Sequence, residues 1–182
     1  ATANTLLVDM PHDPRGLFQI HVKEPFQHHD DKLHRSIIVV QQQHFELAWF
    51  LWLCPRFGGN ADLIVITGDL IDGSLDIRRE DIAPLGGLMA RAGVLTGPGN
   101  HEYFFDIDRW LKHFPEINMR ILANDHAVIE RGEGRLVVAG VTDLAARFTG
   151  AVEPDLGKAL SGAPANAPII LLDHQPRLAH RA

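Results

Sequence analysis

Three short stretches of this chain carry residue types that hold metal ions: Gly68-Asp-Leu-Ile-Asp-Gly73, Gly99-Asn-His-Glu102 and Leu171-Leu-Asp-His-Gln-Pro176. Their donors are carboxylate, amide oxygen and imidazole, a set that suits Mn²⁺, Fe or Zn²⁺ better than a metal preferring thiolate. Asp69 can bridge two cations, and Asn100 and His174 can complete the shell of one of them. Two cations about 3.5–4 Å apart clamp a phosphoryl group and acidify a bridging water, so the chemistry this set suits is phosphoester hydrolysis, with a metal-bound hydroxide attacking phosphorus. His101, beside a ligand, is the candidate general acid for the departing alkoxide. Asp72 is the candidate for orienting a ligand or a water.

Each motif needs a strand to deliver it. Asp62-Leu-Ile-Val-Ile-Thr67 is a continuous apolar run rich in β-branched residues, as expected of a strand buried on both faces. Gly93 to Thr96 and Ile169 to Leu172 are shorter runs of the same kind, and Asp69, Asn100 and His174 each follow one of the three within a few residues. In an open α/β sheet such positions gather beyond the carboxyl ends of the strands. Between the strands, Ile77 to Ala92 predicts a helix with Gly93 as its C-cap, although Pro84 and Gly86-Gly87 interrupt the pattern. Asp106 to Phe114 predicts a second helix, with Ile107, Trp110, Leu111 and Phe114 on one face. Ile121-Leu122, Ala127 to Glu130 and Leu136 to Val141 read as further strands, the last two joined through Arg131-Gly-Glu-Gly134. Strands alternating with helices, then a hairpin, give an α/β domain with a mixed sheet.

Before Ala61 the pattern weakens. Leu17 to Val22 and Ile37 to Val40 read as short strands and Phe45 to Phe57 as a helix. Six of the eleven histidines fall here, and are read as solvated or incidental. The chain has 182 residues, the length of one domain with a proper core. Its formal net charge of −6, with no dense basic stretch, argues against nucleic acid as a bulk partner. A single cysteine, Cys54, leaves no internal disulfide framework. The longest aromatic-apolar run, Leu47 to Cys54, is far short of the roughly 20 residues a membrane span needs. The start lacks Met and any charged segment followed by an apolar one, and the end follows His180-Arg181-Ala182, so the sequence is expected to be a fragment.

Together, "ADLIVITGDLIDGS", "GNHEYFF", "RLVVAGVTDL" and "PIILLDHQPR" resemble the calcineurin-like metallophosphoesterase superfamily, in its bacterial, often membrane-associated branch. The resemblance covers about residues 61–182; residues 1–60 match poorly. It implies one metallophosphoesterase-like domain, truncated at both ends, with a four-layer fold: a β-sandwich flanked by helices. It also implies two divalent ions (Mn, Fe or Zn) as cofactors, with Asp69 bridging, Asn100 and His174 on one ion and His101 as acid. The substrate would be a phosphorylated small molecule or lipid, and the setting cytoplasmic or membrane-associated. The family's opening Asp-x-His is absent before Asp69. The nearest candidates are Asp9 with His12, and Asp30, Asp31 and His34, which follow the strand expected at 17–22. The closing Gly-His-x-His is absent as well, so one ion's shell is represented and the other's is nearly empty. The rival expectation is therefore a non-catalytic or single-metal domain of the same ancestry.

Overall fold

The computed structural model describes residues 17–21, 36–40 and 61–175. Within these the chain is α/β, with two sheets. The first sheet takes β1 (Leu17–His21), β2 (Ser36–Val40), β3 (Leu63–Ile66), β4 (Val94–Thr96) and β5 (Met119–Ile121) in spatial order β1-β2-β3-β4-β5. β1 runs antiparallel to β2, and β2 through β5 are parallel. The second sheet takes β6 (Asp125–Arg131), β7 (Gly134–Gly140) and β8 (Ile169–Leu172): β6 and β7 form the expected hairpin, and β8 lies parallel to β7.

β3 shows why an unbroken apolar run belongs in this place. Its residues alternate between two cores. Ile64 and Ile66, with Val94, face a cluster of Leu75, Ile82, Trp110, Phe114 and Met119. Leu63 and Val65, with Leu95, face Ala127, Val138 and Leu172 of the second sheet. All four β3 residues are buried, so neither face admits a polar residue.

The helical face comes from α1 (Leu75–Ile82) and, further on, the helix Ile107–Glu116. The single helix expected over Ile77–Ala92 is corrected: α1 ends at Ile82 and a 3₁₀ turn, Ala83–Gly87, follows it. Pro84 explains the break, because it has no N–H to bond back into an α-helix but is tolerated in a first turn. Gly93 is accordingly no helix cap; it sits with φ +89° just before β4, where its carbonyl accepts from the Ile64 amide. A short helix not expected from the sequence, α2 (Asn100–Phe104), arises inside the Gly-Asn-His-Glu motif, and the helix expected over Asp106–Phe114 is present as α3 (Ile107–Glu116), with Asp106 as its N-cap. Two short helices, α4 (Ala146–Thr149) and α5 (Leu156–Ala159), fill the connection from β7 to β8. Trp110 and Phe114 stack at 5.7 Å and are fully buried, as the spacing on α3 predicts.

Topology also corrects the expected first strand. β1, at 17–21, is an antiparallel edge strand; the first of the parallel strands is β2. The connection carrying Asp30, Asp31 and His34 leaves β1 at His21 and enters β2 at Ser36, and these two ends pair at the amino edge of the parallel strands. Asp9, His12, Asp30, Asp31 and His34 lie outside the described residues, as do the helix expected at 45–57 and Cys54.

A candidate metal centre at the carboxyl edge

The carboxyl ends of β3 and β4 from one sheet and of β8 from the other meet at one edge of the molecule. There the structure brings together Asp69, Asn100 and His174, which stand far apart in sequence. His174 Nε2 is 3.1 Å from Asn100 Oδ1 and 3.1 Å from Asp69 Oδ2. Its other nitrogen, Nδ1, donates to the Thr67 carbonyl at 3.0 Å, tying the residue after β8 to the end of β3. Oxygen acceptors thus stand at both nitrogens of one imidazole.

Two turns make this approach possible. Gly68 has φ +99° and Asp69 φ +56°, so the chain leaves β3 through two left-handed residues. Glycine adopts this without penalty and aspartate is among the few side chains that tolerate it. A Cβ on Gly68 would meet the backbone of Pro98 and Gly99, and a Cβ on Gly99 would meet the Asp69 carboxylate. The two glycines therefore let the β3 and β4 loops touch. We expect Gly68→Ala to cost about 2 kcal/mol or more, since a left-handed non-glycine residue and a backbone overlap each cost on the order of 1 kcal/mol or more. Urea unfolding at neutral pH checks this; a stability within 0.5 kcal/mol of the parent (about the scatter of neutral surface substitutions) would contradict the packing described.

Glu102 holds the loops in register. It is fully buried, and its carboxylate accepts from Gly99 N at 2.7 Å and Asp69 N at 3.0 Å through Oε2, and from Leu70 N at 2.7 Å through Oε1. Sequence reasoning gave this residue no role. The signal available was its place three residues after Gly99, where a glutamate reaches back to the amide preceding a helix. Burial, and then the charge of Asp69, push its pKa up, against the pull of the three amides.

Asp69 is itself held from both sides: His101 N donates to Oδ1 at 3.0 Å while His174 faces Oδ2. Burial opposes its ionisation, yet the hydrogen bond from His174 and the amide of His101 keep its pKa below the ordinary carboxylate value. Burial likewise opposes an imidazolium at His174, but the Asp69 hydrogen bond and charge outweigh it and raise the pKa, with Asp143 and Glu102 adding more distant negative charge.

His101 and Asp72 do not reach this cluster. The His101 ring pairs with Asp72 instead, its Nδ1 lying 3.2 Å from Asp72 Oδ1. Asp72, expected to orient a ligand or a water, instead faces the candidate acid. Arg78 lies behind it, donating from Nε to the Asp72 carbonyl at 3.0 Å and pairing with Asp81.

A second residue that sequence reasoning passed over is Asp143, two residues beyond the VVAGV run. It is buried; Oδ1 accepts from Ala145 N at 2.7 Å and from Gln175 Nε2 at 3.0 Å, while Oδ2 has no hydrogen-bond partner among the described residues. Gln175 follows His174 directly, so Asp143 anchors the ligand loop from the β7 side.

These observations bear on whether the residues fit a divalent cation. No three of His, Cys, Asp and Glu cluster as a ligand set among the described residues; the set here has an amide oxygen as its third member. Ligands about 2.1 Å from one ion and at right angles to each other stand about 3 Å apart, and both edges that meet at His174 Nε2 are 3.1 Å. The Nδ1 bond to a carbonyl fixes the imidazole with Nε2 facing the other two donors, the usual support for a ligating histidine. The Asp69 carboxylate faces His174 directly, and a buried Asp143 oxygen has no hydrogen-bond partner among the described residues. The three donors fit part of one ion's shell.

Comparison with known proteins identifies the family of this chain. The family model described as calcineurin-like phosphoesterase matches residues 20–178. Among curated proteins, a "Transmembrane protein with metallophosphoesterase domain" from Danio rerio is 37% identical over 129 residues, covering 68% of this chain and 30% of that protein. The protein of the same name from Bos taurus is 37% identical over 131 residues, covering 66% and 29%. An "Uncharacterized metallophosphoesterase" from Helicobacter pylori is 35% identical over 116 residues, covering 64% and 30%. The chain thus spans less than a third of the length of these relatives. No solved structure matches it. With that family model matching most of its length, the chain belongs to the calcineurin-like phosphoesterases.

Proposed function

We propose that this chain is the metal-binding core of a phosphoester hydrolase in which Asp69, Asn100 and His174 hold divalent cation and His101 is the general acid. The observation that carries the reading is the meeting of Asp69 Oδ2 and Asn100 Oδ1 at His174 Nε2, each 3.1 Å away. A bound divalent cation would supply charge neutralisation at the phosphoryl oxygens and acidify a water for attack. The chain's own residues do the rest. Asp69 would help to hold the ion, and its Oδ1, by accepting from the His101 amide, fixes where α2 begins. As the bond from phosphorus to the departing oxygen breaks, His101 gives that oxygen a proton, and the Asp72 carboxylate at Nδ1 holds the ring in orientation. A four-layer β-sandwich and a dinuclear centre go with this reading, as does a membrane setting like that named for the vertebrate relatives. Among the described residues, no helix is long and apolar enough to cross a membrane.

A second reading, a single-metal or non-catalytic binding domain, is favoured by one observation: the described residues provide ligands on one side of Asp69 only. Metal stoichiometry separates the two. After exchange into Mn²⁺ buffer and desalting, elemental analysis is expected to find two ions per chain, lowered by Asn100→Ala. One ion would favour the binding domain, and none would remove the metal assignment altogether.

A further inference from the structure

The face of α2 that carries His101 also carries two phenylalanines. Residues three and four apart on a helix are neighbours, and the His101 ring lies 6.2 Å from Phe104 and 6.3 Å from Phe105, tilted by 55° and 51°. Tyr103, just before them in the chain, turns inward and is 3% exposed in a small core with Ile107, Ala145 and Ala146. Phe104 is 56% exposed. Single exposed apolar residues are common and need no explanation. What distinguishes this one is its neighbour: folding leaves an aromatic ring in water beside the imidazole assigned to the departing oxygen. The same imidazole also faces negative charge, since its Nδ1 lies 3.2 Å from Oδ1 of Asp72, whose side chain is 65% exposed. The one arginine behind Asp72 is engaged by the Asp72 carbonyl and by Asp81.

We propose that Phe104 is the leaving-group contact of the site, selecting phosphoesters whose departing alcohol is neutral and aromatic or apolar. This rests on the role proposed for His101. An alcohol close enough to take a proton from His101 approaches an imidazole that has both the Phe104 ring and the Asp72 carboxylate as neighbours. An apolar group buries the ring face and gains an aromatic contact, whereas an anionic group meets Asp72 at short range. The residue determines specificity without taking part in bond breaking.

The test uses binding, so that it does not depend on turnover. Benzylphosphonate, in which CH₂ replaces the bridging oxygen of a phenyl ester, is titrated calorimetrically into the Mn²⁺-loaded chain alongside ethylphosphonate. Benzylphosphonate is expected to bind about five- to tenfold tighter, from ring burial and one aromatic pair. That preference is expected to fall below about twofold in Phe104→Ala and to survive in part in Phe104→Leu. Phe104 is exposed, so neither change disturbs the core. Equal affinities in the parent chain, or a preference unchanged in Phe104→Ala, would overturn the assignment of Phe104 and leave the hydrolase reading standing. A Phe104-dependent preference without metal-dependent hydrolysis of phenyl phosphate would do the reverse. Binding of neither phosphonate would overturn both.

Discussion

Asp69→Ala is expected to abolish metal-dependent phosphoester hydrolysis, by about a thousandfold or more, in a chain that still folds. Two losses combine in this one change. The Oδ2 oxygen leaves the meeting point with His174 Nε2 and Asn100 Oδ1, and the Oδ1 oxygen no longer accepts from the His101 amide. Metal position and acid position therefore fail together. The fold tolerates the change because Asp69's charge is one of the two things that push the Glu102 pKa up, so its removal relieves a buried neighbour. Asn100→Ala removes an amide oxygen without touching the His101 amide, and is expected to abolish turnover through the metal alone. Initial rates on an aryl phosphate with Mn²⁺, read beside near-UV circular dichroism, check both. Native spectra with unchanged turnover in either variant would refute the roles assigned.

How much of this site the sequence shows depends on how local its causes are. β3 is legible because each of its residues is buried against one core or the other, so hydrophobicity alone marks it. The break after Ile82 is legible in Pro84, but the 3₁₀ turn that replaces the helix is not, since it depends on how Leu85 seats in the core. Glu102 and Asp143 escape a motif reading because their work is to bind backbone amides and a neighbouring side chain across 32 and 33 residues, contacts that no spacing announces. In the first half the strands expected at 17–22 and 37–40 are present as β1 and β2, but a hydrophobic run does not announce its direction: β1 pairs antiparallel, and the parallel series begins at β2.

Glu102 is where fold and site share a single support, and truncating it is expected to damage both. Burial and the Asp69 charge raise its pKa, and the three backbone amides that donate to its carboxylate pull the other way. Glu102→Ala leaves the buried amides of Gly99 and Leu70, and the amide of Asp69, without an acceptor. At about 1–3 kcal/mol for each unsatisfied donor, partly relieved by water entering the gap, the loss is expected to be about 4 kcal/mol. Glu102→Gln is the more telling variant. Its one oxygen can still accept from Gly99 and Asp69, while its NH₂ must face the Leu70 amide, donor against donor. Against that, the buried charge and its repulsion with Asp69 are gone. One lost acceptor against one relieved charge leaves a net loss of about 1–2 kcal/mol. The Gln variant is therefore expected to fold and to bind metal more weakly, because the turn that sets Asp69 is tethered on one side only. Urea unfolding and Mn²⁺ titration of both variants check this. If Gln proved as destabilising as Ala, the charge and not the acceptor count would be what the three amides require; if both were neutral, Glu102 would not be holding the loops at all.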